Sequence, residues 1–265
     1  MKNFELSPTQ LKITDNILDW FRSSKCQYTT LGGYAGTGKT TLLGYVSEYL
    51  HKDNKKLKIA YCSYTGKATR VLNRKLVESK SVSNDDFIGT IHRLIYRAIV
   101  DDEDNIIGWE KIPDEDFKYN LIIVDEASMV TEDIWKDLLS FDVPILAVGD
   151  HGQLPPINSN FNLMSKPDLT LEEIYRQEAQ NPIIKVSEIA RKYGHLPFEE
   201  FSRTVKKMSK TEPDTQDTLR DIFQSYNDDT MVLCGYNQTR INLNKAIRSL
   251  HFETANPQVG DRVIC

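Results

Sequence analysis

No apolar run in the sequence approaches the roughly 18 residues of a membrane span, and its first residues include no apolar segment of the signal-peptide kind. Cysteine is also scarce, because the four cysteines lie too far apart for a zinc site or a disulfide scaffold. These absences argue against a membrane-spanning protein and a small disulfide-stapled domain. We therefore expect a cytoplasmic protein with no membrane partner.

Glycine and proline are modest in number, at 13 and 10 of 265 residues. Hydrophobic residues make up 40% of the chain and charged residues 27%. This composition excludes collagen-like, coiled-coil and disordered classes. The length is sufficient for one large or two modest globular domains with buried cores.

The chain has fewer basic than acidic residues, 33 against 38, which gives a net charge of −5. A net negative charge ordinarily argues against a polyanionic partner. However, residues 101–116 contain eight acidic residues and a single lysine, a local charge of −7, so the remainder of the chain carries +2. The acidity is confined to one patch and does not exclude a nucleic-acid partner.

Apolar runs of strand length alternate with helix-like segments in the first part of the chain. The runs are continuous, which is typical of strands covered on both faces by helices, and strands that alternate with helices indicate a parallel sheet. The sequence therefore predicts an α/β fold. The expected strands lie at 28–31, 58–63, 121–124 and 144–148, and the expected helices at 41–51, 65–77 and 132–139.

After about residue 169 the pattern becomes mainly helical. We expect a domain boundary near 165–171, where Pro167 interrupts the pattern, and hence domains at 1–165 and 166–265. Residues 259–265 predict a turn and a new strand, either as a final edge strand or as part of a longer protein. The expected elements between them are helices at 181–193, 214–225 and 239–250 and one buried strand at 230–234.

A glycine-rich turn follows the first expected strand. Residues 33–40 match the phosphate-loop pattern G-x-x-x-x-G-K-[ST] between a strand and a helix. Its glycines let backbone N–H groups approach phosphates, and the helix adds its positive end. Lys39 can neutralise the β- and γ-phosphates, and the Thr40 hydroxyl can ligate Mg²⁺. The predicted ATP-binding residues are Gly33, Ala35, Gly36, Thr37, Gly38, Lys39, Thr40 and Thr41.

Carboxylates close the third apolar run. Asp125 can hold Mg²⁺ together with Thr40, and Glu126 can orient and deprotonate the attacking water. Asp150 and Gln153 follow the next run, and Gln153 is a candidate sensor of the γ-phosphate. The predicted catalytic residues in this part of the chain are Lys39, Glu126 and Gln153.

In their order along the chain, these segments resemble the motifs of superfamily 1 helicases, specifically the RecD- and Dda-like branch. The likeness covers nearly the whole chain. It implies an ATP-dependent DNA helicase of 5′-to-3′ polarity, with a RecA-like motor domain at 1–165 and an incomplete second RecA-like domain at 166–265. The segments that carry it lie at 6–10, 33–41, 64–68, 89–92, 125–129, 149–156 and 171–177.

The resemblance assigns roles around the nucleotide. It implies that Gln10 reads adenine, that Tyr175 stacks on adenine and that Arg176 reaches the γ-phosphate as a catalytic residue. The segment 149–156 is similar to the motif that couples the nucleotide state to DNA.

The resemblance also implies that Thr65, Lys67 and His92 face single-stranded DNA. Such contacts to the phosphate backbone carry no sequence preference, as a translocating motor requires. Without the resemblance, Thr65 and Lys67 are the start of a capped helix with a solvated lysine, and His92 is a surface or packing histidine.

The acidic stretch predicts a β-hairpin at 98–117, inserted into the sheet. Its position is similar to that of the strand-separating pin of Dda-like helicases. Trp109 either stacks on a base at the fork, worth roughly 1–3 kcal/mol, or packs the hairpin onto the domain. The acidic load argues that the hairpin wedges or deflects strands instead of gripping phosphates.

The leading hypothesis is therefore the motor portion of a DNA helicase or translocase, with ATP and Mg²⁺ as cofactors and single-stranded DNA and fork duplex as partners. The alternative is a nucleotide-gated DNA- or partner-binding module without productive turnover, because later motifs of the second motor domain are absent from these residues. A small-molecule kinase fits poorly, since such enzymes lack the segments 149–156 and 171–177 in this order.

Overall fold

The computed structural model describes residues 6–23, 25–156, 161–172, 181–227 and 229–252, together with residues 254, 256, 258 and 259. The chain forms two compact units, Met1–Asn181 and Pro182–Cys265. Within the described ranges, none of the helices is both long and apolar enough to cross a membrane.

The first unit is built on a six-stranded sheet in which every hydrogen-bonded pair of strands is parallel. The strands of this unit, including two that form a separate hairpin, are β1 (Tyr28–Gly33), β2 (Ile59–Ser63), β3 (Phe87–Thr90), β4 (Tyr96–Val100), β5 (Ile106–Lys111), β6 (Leu121–Asp125), β7 (Ile145–Gly149) and β8 (Leu169–Leu171). The spatial order in the large sheet is β3-β2-β6-β7-β1-β8. The predicted parallel α/β fold is confirmed.

Helices cover both faces of this sheet. Because successive residues of a strand point to opposite faces, each strand contributes side chains to two separate cores. Along β6, Leu121 and Ile123 join a core cluster with the first three helices, whereas Ile122 and Val124 join a second cluster with the next two. Both clusters are buried, which accounts for the continuous apolar runs. The helices are α1 (Pro8–Ser23), α2 (Lys39–Asp53), α3 (Gly66–Glu78), α4 (Ile91–Ile95) and α5 (Glu132–Leu139).

The first unit extends beyond the boundary that we expected between residues 165 and 166. Strand β8 pairs with β1, and Asp168 fixes the pairing because its Oδ2 accepts hydrogen bonds from Thr30 N at 2.9 Å and Thr30 Oγ1 at 2.7 Å. The Asp168 N–H donates in return to Thr30 Oγ1 at 2.8 Å. These contacts tie the 166–171 segment to the first unit.

The predicted hairpin is present, but it does not enter the large sheet. Strands β4 and β5 pair antiparallel as a separate two-stranded sheet, with Trp109 opposite Ala98. Contacts at its base join it to the unit: Ile112 N donates to Ile95 O at 2.9 Å, and Lys111 Nζ donates to Ser140 Oγ at 2.6 Å. The hairpin therefore projects from the unit instead of extending its sheet.

The second unit contains three helices and a short antiparallel pair among its described residues. They are α6 (Pro182–Tyr193), β9 (Glu200–Ser202), β10 (Val205–Lys206), α7 (Pro213–Gln224) and α8 (Asn237–His251). The three predicted helices are confirmed, whereas the buried strand expected at 230–234 is wrong. Met231 and Leu233 are 70% and 84% exposed, because no strand in the described part of this unit pairs with them. The second RecA-like domain stays a prediction, and residues 260–265 of the expected final strand lie outside the described residues.

A buried carboxylate, Asp86, joins three elements of the first unit. Its side chain is fully buried and accepts hydrogen bonds from Ile59 N and Ser83 N, each at 2.8 Å. His51 Nε2 lies 2.9 Å from the same carboxylate. Asp86 thereby connects the end of α2, the start of β2 and the turn before β3.

Replacing Asp86 by Ala should destabilise the first unit by about 3 kcal/mol, because two buried N–H groups lose their acceptor. Urea unfolding followed by tryptophan fluorescence measures this, since all three tryptophans (Trp20, Trp109 and Trp135) lie in the first unit. Asp85→Ala is the matched control on the exposed neighbour. Equal unfolding free energies for the two variants would contradict the role of Asp86.

Candidate nucleotide site and nucleic-acid interface

The loops that carry the predicted site residues leave the large sheet at one edge. Because its strands are parallel, their carboxyl ends lie side by side, where α/β proteins bind ligands. The register places Ser63 opposite both Asp125 and Thr90, and Gly32 opposite Gly149. The phosphate loop, the carboxylate loop and the segments near Thr65 and His92 are therefore neighbours.

Glycines shape the phosphate loop in two ways, by adopting left-handed backbone angles and by allowing a close contact with a neighbouring side chain. Gly36 and Gly38 have φ of 81° and 83°, in the left-handed region that glycine adopts without steric cost. A Cβ on Gly33 would lie 2.7 Å from Thr37 Oγ1. Thr37 Oγ1 in turn donates to Tyr34 O at 2.9 Å, which closes the loop just before α2 begins.

Lys39 lies at the first turn of α2 with its ammonium folded back onto the loop. Its Nζ donates to Gly33 O at 2.6 Å and to Tyr34 O at 2.9 Å. Burial lowers the pKa of Lys39, and the nearby carboxylates of Asp150, Glu126 and Asp125 act in the opposite direction. The ammonium is therefore placed between the phosphate loop and the acidic loops.

Gln10 connects α1 to the phosphate loop. Its side-chain oxygen accepts from Ser7 N at 3.0 Å, while its own N–H donates to Ser7 Oγ at 3.3 Å, which forms a capping box at the start of α1. Gln10 Nε2 donates to Thr37 O at 3.3 Å, and the residue is only 2% exposed. This glutamine adjoins the loop as expected, and its contact with adenine stays a prediction.

Asp125 is the last residue of β6, and Glu126 follows it directly. Burial, with a further contribution from the charge of Glu126, raises the pKa of Asp125 to about 6. Glu126 N donates to Asp125 Oδ1 at 3.0 Å. Glu126 itself has φ 56° and ψ 41°, a left-handed conformation that costs a non-glycine residue about 1–2 kcal/mol. Such strain is concentrated at functional sites, where the surrounding structure enforces it.

A polar chain joins this carboxylate to the loop after β7. Gln153 Nε2 lies 3.4 Å from Glu126 Oε2, and Ser128 Oγ donates to Gln153 Oε1 at 3.0 Å. Asp150 holds the loop, because its Oδ1 accepts from Gly152 N at 2.8 Å. Sequence reasoning missed Ser128, although a serine in the middle of the motif at 125–129 was a usable signal.

The residues predicted to hold Mg²⁺ provide oxygen donors. A carboxylate such as Asp125 and a hydroxyl such as Thr40 suit Mg²⁺, which takes one or two protein ligands together with substrate phosphates. In the described ranges there is no group of three or more His, Cys, Asp or Glu side chains that could hold a metal by themselves. Because Asp125 and Thr40 supply oxygen donors, this pair fits a Mg²⁺ ion that also binds substrate phosphates.

An aromatic contact links the phosphate loop to the loop after β7. The rings of Tyr34 and His151 have centroids 4.4 Å apart at an interplanar angle of 44°. A Cβ on Gly32 would lie 2.9 Å from His151 Nδ1, so the strand must carry glycine there. Neither ring was predicted as a site residue, because no sequence pattern reports a contact between residues so far apart in the chain.

The residues predicted to face DNA lie at the carboxyl ends of β2 and β3. Thr65 caps α3, since its Oγ1 accepts from Ala68 N at 3.2 Å, and Lys67 is exposed in the first turn of the helix. His92 lies between the rings of Tyr64 and Tyr96, with centroid distances of 5.9 and 5.7 Å. Their position matches the expectation, and their contact with a nucleic acid stays a prediction.

Trp109 is on the exposed side of the hairpin. It is 57% exposed, and its neighbours Ile107 and Val100 are exposed as well. The turn at the tip is ordered by Asp101, whose Oδ1 accepts from Asn105 N at 2.8 Å, and these hydrogen bonds lower the pKa of Asp101. This exposure argues against the alternative that Trp109 packs the hairpin onto the domain, and stacking of Trp109 on a base stays a prediction.

The structure brings Lys39, Asp125, Glu126 and Gln153 together with the phosphate loop. Tyr175 and Arg176, the predicted adenine-stacking and γ-phosphate residues, lie outside the described residues. The loop residues predicted to bind nucleotide are in the described part, and they are Gly33, Ala35, Gly36, Thr37, Gly38, Thr40 and Thr41.

Comparison with known proteins identifies relatives of this chain. The ATP-dependent RecD2 DNA helicase of Deinococcus radiodurans is 33% identical over 164 residues, which cover 59% of this chain and 21% of that protein. The ATP-dependent DNA helicase Dda of Enterobacteria phage T4 is 30% identical over 173 residues, covering 62% of this chain and 37% of Dda. The chain thus spans between a fifth and somewhat over a third of these relatives.

Among solved structures, the Pif1 helicase from Candida albicans aligns with 91% of this chain and 61% of its own at 19% identity, with a TM-score of 0.46. The resemblance to RecD- and Dda-like helicases is confirmed by the sequence relatives. The sequence profile of the AAA domain family matches residues 21–159, which is more than half of the chain, and this protein therefore belongs to the AAA domain family.

Proposed function

We propose that this chain is the motor portion of an ATP-dependent DNA helicase or translocase, in which hydrolysis of ATP drives movement on single-stranded DNA and separation of a duplex. One observation carries the proposal: Ser63, at the end of β2, pairs with Asp125, at the end of β6. The loop proposed to face DNA and the loop proposed to act on ATP therefore begin at adjacent positions of one sheet.

Each residue at the site has a chemical task in this proposal. Lys39 binds the β- and γ-phosphates, and Thr40 and Asp125 would hold Mg²⁺, which when bound offsets phosphate charge. Glu126 accepts a proton from water as the water oxygen bonds to the γ-phosphorus and the bond to the bridging oxygen breaks, giving ADP and phosphate. Arg176 would complete the stabilisation of the developing charge.

Gln153 provides a route by which the γ-phosphate could be sensed. Its amide is shared between Glu126 and Ser128, so a change at Glu126 alters the hydrogen bonds of the loop after β7. The Tyr34–His151 contact joins that loop to the phosphate loop. Loss of phosphate would in this way be transmitted to the sheet edge where Thr65 and His92 lie.

Single-stranded DNA would be bound through its backbone at Thr65, Lys67 and His92, and a fork would meet Trp109 on the hairpin. The polarity of movement, 5′ to 3′, and the binding of adenine by Gln10 and Tyr175 follow from the resemblance to RecD- and Dda-like helicases. The proposal extends to the 265-residue chain by itself.

Lys39→Ala should abolish binding of a fluorescent ATP analogue, because the ammonium that faces the β- and γ-phosphates is removed. Fluorescence titration measures the affinity. Lys52→Ala is the control, since Lys52 is exposed at the other end of α2 and pairs with Glu48. Unchanged nucleotide affinity in Lys39→Ala would refute the proposed site.

Glu126→Gln should bind ATP normally and hydrolyse it roughly 100-fold more slowly, because an amide cannot accept the proton of the attacking water. Phosphate release in the presence of oligo(dT) measures turnover, with Glu132→Gln, at the exposed start of α5, as the matched control. Equal turnover in wild type and Glu126→Gln would remove Glu126 from the role of base. ATP binding without any turnover in the wild type would favour the nucleotide-gated module instead.

Trp109→Ala should weaken binding to forked DNA by roughly 1–3 kcal/mol if its indole stacks on a base. Fluorescence anisotropy with a labelled fork measures the loss. Ile99→Ala is the control, because Ile99 is exposed on the paired strand and points to the opposite face from Ala98, the residue that lies across from Trp109. Equal losses for the two variants would argue against base stacking by Trp109.

A further inference from the structure

Helix α3 carries a row of cations on its solvent-facing side. Lys67, Arg70 and Arg74 are spaced by three and four residues, which places them on one face of a helix. The opposite face is buried through Leu72 and Leu76. We call the three residues the α3 cationic row, and it extends about 10 Å along the helix at 1.5 Å per residue.

The α3 cationic row is not neutralised by the protein. Among the described residues, no carboxylate lies within 4.0 Å of a charged nitrogen of Lys67, Arg70 or Arg74. Exposed lysines on other helices do pair with carboxylates, as in Lys52–Glu48 on α2 and Lys136–Glu132 on α5, both at 2.7–2.8 Å. The row therefore presents unpaired positive charge to solvent.

The charge of α3 contrasts with that of the whole chain. The helix contains four cations and one acid, a charge of +3, whereas the chain outside α3 and outside the acidic stretch 101–116 carries only −1. The acid, Glu78, is in the last turn, away from Thr65. A positive surface of this kind attracts polyanions locally, even though the net charge of the chain is negative.

The α3 cationic row is continuous with the edge proposed to face DNA. Lys67 is two residues beyond the capping residue Thr65, and Thr69 Oγ1 donates to Gly89 O at 3.2 Å, which fixes α3 against the end of β3 just before His92. The positive end of the helix dipole also points to this edge. A strand bound at Thr65 and His92 would meet Lys67 first and then Arg70 and Arg74.

We propose that the α3 cationic row binds the phosphate backbone of a nucleic-acid strand that leaves the Thr65–His92 edge, so that Arg70 and Arg74 extend the binding footprint along α3. This inference rests on the proposed function and deepens it. Arginine suits the task, because its planar guanidinium donates several hydrogen bonds to phosphate oxygens.

The double variant Arg70→Gln/Arg74→Gln tests this proposal in the full 265-residue chain. Its affinity for a fluorescein-labelled 20-residue oligo(dT) should fall about tenfold at low salt, and the slope of log affinity against log salt should shrink by about 1.4, which is 0.7 for each phosphate contact on a single strand. An oligo(dC) of equal length should show the same loss, since backbone contacts do not read bases.

Lys55→Gln/Lys56→Gln is the matched control, because these exposed lysines precede β2 at the opposite edge of the sheet. It should bind oligo(dT) as the wild type does, and both double variants should keep wild-type affinity for a fluorescent ATP analogue, which shows that the first unit is folded. Wild-type DNA affinity and salt slope in Arg70→Gln/Arg74→Gln would overturn the inference. Absence of oligo(dT) binding by the wild type itself would instead refute the proposed function.

Discussion

Parallel pairing between β2 and β6 is the constraint on which the site depends. It places Ser63 beside Asp125, and the further parallel pairs bring the phosphate loop and the loop after β7 to the same edge. Parallel strands need helical crossovers, and the helices bury both faces of the sheet. One arrangement of hydrogen bonds thus fixes the core, the position of the polar loops and the distance over which they can influence one another.

The sequence was sufficient for the elements with a strong local signal. Continuous apolar runs identified β1, β2, β6 and β7, since a strand buried on both faces tolerates few polar residues. Strands β3 and β8 were missed because they have only four and three residues, too few for a period to emerge. Residues 230–234 have the composition of a buried strand, yet a strand forms only where a neighbour pairs with it, and no such neighbour is present in the described part of the second unit.

The residues of the candidate site also fall into those that local sequence patterns identify and those that they do not. The motif patterns identified Lys39, Asp125, Glu126 and Gln153, because the chemistry of phosphate transfer restricts the residue types and their spacing. The contacts of Tyr34 with His151 and of Ser128 with Gln153 join positions far apart in the chain, and no local pattern reports them. The left-handed backbone of Glu126 was likewise invisible, since glutamate is an unusual residue for that conformation.

The separate sheet of the hairpin has a mechanical consequence. Because β4 and β5 share no ladder with the six-stranded sheet, the hairpin is a cantilever: a load on Trp109 is resisted by bending at its root. The root is attached to α5 and the residues just after it, where Tyr96 OH donates to Asp137 and Lys111 Nζ to Ser140. The root is also held by the hydrogen bond from Ile112 N to Ile95 O and by packing of Tyr96 and Ile112 against the second core cluster. The stiffness of this arm therefore depends on polar and apolar contacts outside the six-stranded sheet ladder.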